Sequence, residues 1–298
     1  MRWGRAYFAV QAVAGLAWWL AVFTVPLVRE ATLGSLDPVI VAVFDVPLFV
    51  VGSAIAALGV RAAAIVVTAW TALVAGSLAV FATVTAEAGW GVLFMVAATG
   101  ASLVALSLMI LGRIPTEWII YGPFAFRPAP AGSSVARNVA TTFGQIVLMW
   151  GLFLGVIPVI ISALEARWGV GMPLPAFTVP AGVVLLVLAS GLGVWSAITM
   201  STLGAGTPLP SAMPNRLVIA GPYRWIRNPM AVAGIVQGAA VGLMLQSWLV
   251  VVYAVAGSLV WNYAVRPLEE HDLEQRFGDD YRRYRNAVWC WVPRVPRA

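Results

Sequence analysis

The stretch Gly221-Pro222-Tyr223-Arg224-Trp225-Ile226-Arg227-Asn228-Pro229-Met230 leads into an apolar run that lasts to Val265, where polarity returns as Arg266-Pro267-Leu268-Glu269-Glu270. Its turn is expected near Gln246-Ser247. Asn228 lies about 18 residues before that turn and Glu269 about 22 after it. At 1.5 Å per helical residue each arm is roughly 30 Å long, the thickness of a bilayer's hydrocarbon core. The spacing therefore predicts a transmembrane helical hairpin that returns its two polar clusters to one membrane face.

The rest of the chain has the same character. It is 61% hydrophobic and 10% charged over 298 residues, against about 25% charged in a soluble domain. Apolar runs of spanning length fall at 6–28, 38–60, 62–85, 89–112, 138–162, 178–200, 229–246 and 248–265. Their length without turn residues favours helices over buried strands. The expected fold is an all-α integral membrane protein with about eight transmembrane helices, a C-terminal helical hairpin and a cytoplasmic tail. The chain has no Lys, and with both termini inside, every Arg except Arg29 and Arg167 falls on the cytoplasmic side, as the positive-inside rule requires. The net charge of +6 is then a topology signal and an affinity for anionic headgroups, not a nucleic-acid footprint. The apolar run near Met1 is too long for a signal-peptide core and is expected to be retained. The Arg-only, Ala-rich usage points to a bacterial inner membrane.

Composition divides the chain near residue 125, giving an N-terminal four-helix region at 1–125 and a C-terminal region at 138–298 that holds the strong motifs. Trp118 to Phe124 reads as interfacial, and Arg127 to Arg137 as a linker. Asp45 falls in the second apolar run, where an acid is a functional candidate, but a structural role or a place near the outer end is expected. Gly234, Gly238 and Gly242 form a stripe of small residues for close packing on the last span, with Ala254 and Ser258 as partners. Homodimerisation through the stripe is the alternative. Val250 is expected to face lipid. Cys290, the only cysteine, excludes an internal disulfide and a cysteine metal site, and no metal is expected; with Trp289 and Trp291 it reads as an interfacial anchor.

Carboxylates and arginines gathered at one face suit a zwitterionic ligand. A carboxylate pair holds an ammonium or a diol, and Arg and Asn hold a carboxylate. A salt-bridge cluster is the bland alternative for Glu269 and Glu270, as a helix N-cap is for Asn228 ahead of Pro229. The ordered set Gly206-Thr207-Pro208, Leu217-Val218, Gly221-Pro222-Tyr223-Arg224, Arg227-Asn228-Pro229, Glu269-Glu270, Phe277-Gly278, Tyr281, Tyr284 and Pro293 resembles the membrane methyltransferase superfamily of isoprenylcysteine carboxyl methyltransferases and phospholipid methyltransferases. The resemblance covers about a third of the chain. It implies S-adenosylmethionine as cofactor, a cytosol-facing pocket and a hydrophobic small-molecule or lipid acceptor entering from the bilayer. Gly191-Leu192-Gly193 resembles the family's cofactor-contacting Gly-x-Gly. The cofactor set so implied is Gly191, Gly193, Gly221, Tyr223, Arg227, Asn228, Pro229, Glu269 and Glu270. Arg227 and Asn228 are also assigned to catalysis. His271, the only histidine, is the candidate base should the acceptor need to lose a proton.

Two departures stand out. Asn228 occupies a position often His in relatives and cannot titrate, and Ala231 replaces a frequent Tyr. A sterol-reductase-like NADPH enzyme is the runner-up, but Met230-Ala231-Val232-Ala233-Gly234 lacks the Asn, Tyr and Glu of that class. A non-catalytic membrane subunit or transporter is the third possibility; a transporter would place polar residues at mid-membrane, whereas here they crowd one end.

Overall fold

A computed structural model describes residues 2–120, 125–130, 132–208 and 212–293. Tyr121 to Phe124, part of the expected interfacial segment, lie outside the described residues. The described residues are helical throughout apart from loops and one isolated bridge, Pro128 to Met213. Among the described residues seven helices are long and apolar enough to cross a membrane, and Pro229–Met244 is a shorter apolar helix. Each of the eight predicted spans thus coincides with one helix. Outward faces are apolar: α1 (Arg2–Thr24) buries Phe8, Trp19 and Val22 while exposing Val10, Val13, Leu20 and Phe23. Water does not tolerate contiguous apolar surface on this scale, and lipid does.

The chain folds as two compact units, Met1–Pro115 with Leu164–Gly171, and Thr116–Ala163 with Met172–Ala298. In the first unit α1 stops at Thr24, short of the predicted end. Pro26 then opens a short α2 (Pro26–Leu33), because proline blocks a continuing helix but suits a first turn. Asp37 caps α3 (Pro38–Ala57), accepting from Val39 N at 2.8 Å and Ile40 N at 3.2 Å. With the start so fixed, Asp45 lies about 12 Å along the helix and is buried. The expectation of a place near the outer end is not met. A π-helical turn, Val46–Val51, follows it. Two more helices, α4 (Arg61–Thr85) and α5 (Gly89–Ile110), pack on each other and on the first three. Arg167 donates to Thr83 O and Val84 O at 2.7 and 2.6 Å, covering orphan carbonyls at the C-terminus of α4.

The second unit is built on α6 (Val135–Arg167, as far as Ala163), α7 (Thr178–Leu203), α8 (Pro229–Met244) and α9 (Trp248–Ala287). Helix α8 packs between α7 and α9. The hairpin turn is tight: Gln246 takes a positive φ of 53°, and Ser247 caps α9 by accepting from Val250 N at 3.2 Å. Beyond Val265 α9 becomes polar. Gly278, at φ 54°, bends it. Residues 127–130, read as linker, are pinned instead to the loop after α7. Ala129 N donates to Met213 O (3.0 Å) and Met213 N to Arg127 O (2.7 Å).

The packing corrects three expectations. A side chain on Gly238 would meet Ala254 Cβ at 3.1 Å and one on Gly242 would meet Val251 N at 2.8 Å, but one on Gly234 would touch nothing. Only two glycines of the stripe therefore pack on α9. Ser258, the second expected partner, turns its hydroxyl to Val255 O of its own helix. Val250, expected to face lipid, is fully buried.

Candidate active site

The hairpin brings Arg227 and Glu270 together, with Arg227 Nη2 3.2 Å from Glu270 Oε1. Pro229 starts α8, so Arg227 and Asn228 sit at its mouth. Glu270 lies one turn into the polar part of α9, where Arg266 reaches the same Oε1 at 3.5 Å. The Arg227 side chain is only 9% exposed, yet its Nε and Nη1 have no hydrogen-bond partner among the described residues. Burying such donors unpaired is costly. Asn228 occupies the N-cap position without capping; its amide reaches Cys290 Sγ at 3.4 Å instead.

Glu269 forms no hydrogen bond or ion pair with a described residue. Burial, then the charges of Glu270 and Asp272, raise its pKa to about 7. Tyr223 is buried, and its phenol is pushed far up by burial, then by Tyr284 and Glu269. Tyr281 is raised by burial and then by Glu270. Around the charges, then, lies a wall of phenols that stay neutral at physiological pH.

The wall is anchored from several directions. Gly221 has φ 52°, and a Cβ there would lie 2.7 Å from Thr199 Oγ1 on α7, so only glycine lets this loop touch α7. Tyr284 Oη donates to Tyr223 O at 2.7 Å. Tyr281, Tyr284 and Val288 form a small core with Leu217, Leu273 and Phe277. Many motif residues thus fasten the polar tail to the 221–228 loop. The Trp289-Cys290-Trp291 segment is not a free-standing anchor. Arg227 N donates to Trp289 O at 2.9 Å, Cys290 is buried, and Trp291 packs edge-on to Trp261 while donating to Asn262 Oδ1 at 2.9 Å.

Residues 177–280, about a third of the chain, match the family model described as Phospholipid methyltransferase. The matched segment is similar to that family, and it spans α7, the 221–228 loop, α8 and α9 as far as Asp280. Compared with curated proteins, the chain matches none.

Within the matched segment the predicted residues divide. Gly221, Tyr223, Arg227, Asn228, Pro229, Glu269 and Glu270 gather at the α8–α9 mouth. Gly193 packs against α8, where an added Cβ would lie 3.5 Å from Ala233. Gly191 is exposed and faces open space. His271 is exposed too, its Nε2 2.8 Å from Gln275 Nε2, and is not drawn into the charged set. Arg266 was missed, although its i,i+4 spacing to Glu270 marks it as a partner. The backbone of Trp289 was missed as well, and nothing local in the sequence signals that contact.

Proposed function

We propose that this protein binds S-adenosylmethionine at the mouth of the α8–α9 hairpin and transfers its methyl group to a hydrophobic or lipid acceptor. The observation that carries the proposal is the buried edge of Arg227, without a partner among the described residues, at the mouth where the neighbour of its ion-pair partner Glu270 is Glu269, which also has none. These two needs are opposite in charge. The methionine end of the cofactor offers a carboxylate and an ammonium, which answer both. Guanidinium N–H donors in a fixed fork match a carboxylate. Glu270, held by Arg227 and Arg266, fixes the direction of that fork. When bound, the cofactor supplies an activated methyl on a sulfonium. The protein then has mainly to align acceptor and methyl, which tight helix packing does well.

The core of this activity is assigned to 138–298, and the 1–125 region lies outside it. The arginine distribution supports a bacterial inner-membrane location with both termini cytoplasmic and the cofactor site on that face. A cysteine scan tests the orientation. Ser247, at the hairpin turn, is buried, whereas Leu245 in the same turn is 37% exposed. In a Cys290→Ala background, Leu245→Cys should react with an impermeant maleimide on intact cells and Asp280→Cys only after lysis. The reverse pattern would put the site on the wrong face for its cofactor.

Calorimetric titration of the purified protein tests the cofactor itself: S-adenosylmethionine should bind and NADPH should not. The ammonium needs Glu269 ionised. With a pKa of about 7 that form prevails above neutrality and is lost as pH falls. Affinity should fall by up to about tenfold for each pH unit below 7 and level off just above it. Glu269→Gln should bind about 10- to 150-fold more weakly at neutral pH and lose most of the pH dependence. An unchanged pH profile in that variant would remove Glu269 from the site.

A further inference from the structure

The first unit holds a cavity of about 430 Å³, within the range of small-molecule sites. Its walls are mostly apolar and aromatic, including Phe49, Phe94 and Trp18. Most polar groups lining it are already satisfied. Gln11 Oε1 accepts from Tyr7 Oη and from Ser102 Oγ (2.9 Å), and Gln11 Nε2 donates to Ser53 Oγ (3.0 Å).

Two groups keep unused hydrogen-bonding capacity. Trp18 Nε1 is buried without a hydrogen-bond partner among the described residues. Asp45, 5% exposed, accepts from Trp19 Nε1 at 2.9 Å on one oxygen and from Trp70 Nε1 at 2.8 Å on the other. A carboxylate offers about four acceptor sites, so two indoles leave it half used. Its contacts among the described residues include no arginine. An acid at this depth calls for a counter-charge.

We propose that this cavity binds an apolar amine. Its cationic nitrogen meets Asp45 and its hydrocarbon part lies against Phe49 and Phe94. Trp18 presents an aromatic face to the cation and an N–H to any oxygen the ligand carries. A divalent metal ion fits poorly, because it wants six or more oxygen ligands and the walls are largely carbon. A fatty acid would set a second carboxylate against Asp45. The site is independent of the methyltransferase assignment, since every residue in it belongs to the first unit.

Three probes of equal shape test it: 4-phenylbutylamine, 4-phenylbutanol and 4-phenylbutyrate, titrated calorimetrically into the full-length protein in nanodiscs. The amine should bind saturably and at least about tenfold more tightly than the alcohol, with no binding of the acid. Asp45→Asn keeps the shape and should remove that preference. Because Asp45→Asn disturbs two indole bonds, Ala98→Phe, which fills the cavity without touching them, should abolish amine binding while the melting temperature holds. Equal affinity for amine and alcohol, an undiminished preference in Asp45→Asn, or no saturable binding of the amine to the unmutated protein would each overturn the proposal.

Discussion

Replacing Arg227 by Gln should lower S-adenosylmethionine affinity by about 100-fold or more, the largest effect expected of a single side chain here. Nε and Nη1 are both unpartnered, and each hydrogen bond to a charged group contributes roughly 1.5–3 kcal/mol. Losing two exceeds the loss expected at Glu269, where one interaction is removed. The variant also takes one partner from Glu270, which keeps Arg266. A structural loss therefore has to be separated from a binding loss. Arg227→Lys does this: it retains a positive charge for Glu270 but lacks the planar fork. The Arg227 N–H to Trp289 O bond survives in both variants, so the loop stays attached. Lysine should restore most of the melting temperature and little of the affinity. Affinity recovering in step with melting temperature would make Arg227 a structural ion-pair residue only.

That the two clusters meet was legible in the sequence, because only arm length was needed. Two runs of membrane-spanning length force Arg227 and Glu270 to one end, and the structure pairs them at 3.2 Å. What was not legible was which side of each helix faces inward. In water, burial separates apolar from polar residues, but in lipid both faces are apolar. Val250 and Val252 are alike by type, yet the first is fully buried and the second is 50% exposed. The same ambiguity hid the open position of Gly234. Interruptions were hard to place for another reason. Pro26 clearly favours a break, but a continuing span with a kink and two short helices share the same local residues. The return of Trp289 onto the Arg227 backbone and of Cys290 onto the Asn228 side chain is a contact across some sixty residues with no local pattern behind it. Arg227 and Glu269 were read from the charges a zwitterionic ligand needs. His271 was proposed on adjacency alone, and adjacent helical residues point in different directions.

The uneven glycine stripe supplies the other large effect. Gly242→Leu would drive a side chain into the backbone of Val251, whose N is 2.8 Å from the position of an added Cβ. Gly238→Leu would press on Ala254, 3.1 Å away. Backbone cannot yield as a flexible side chain does, and overpacking costs about 1–3 kcal/mol, sometimes more. The hairpin should splay, drawing Arg227, just ahead of α8, away from Glu270 on α9. A reaction governed by alignment loses about 100-fold for a displacement of around 1 Å. Both variants should therefore lose most methyl transfer, Gly242→Leu more than Gly238→Leu. A Cβ added at Gly234 meets no atom within 4 Å, so Gly234→Leu should retain activity, as should Val252→Leu on the exposed face. Turnover of the purified variants, with melting temperatures alongside, checks the order. Should Gly234→Leu prove as damaging as Gly242→Leu and also abolish a cross-linked dimer, the stripe would work between copies of the chain, and packing within the hairpin would not explain it.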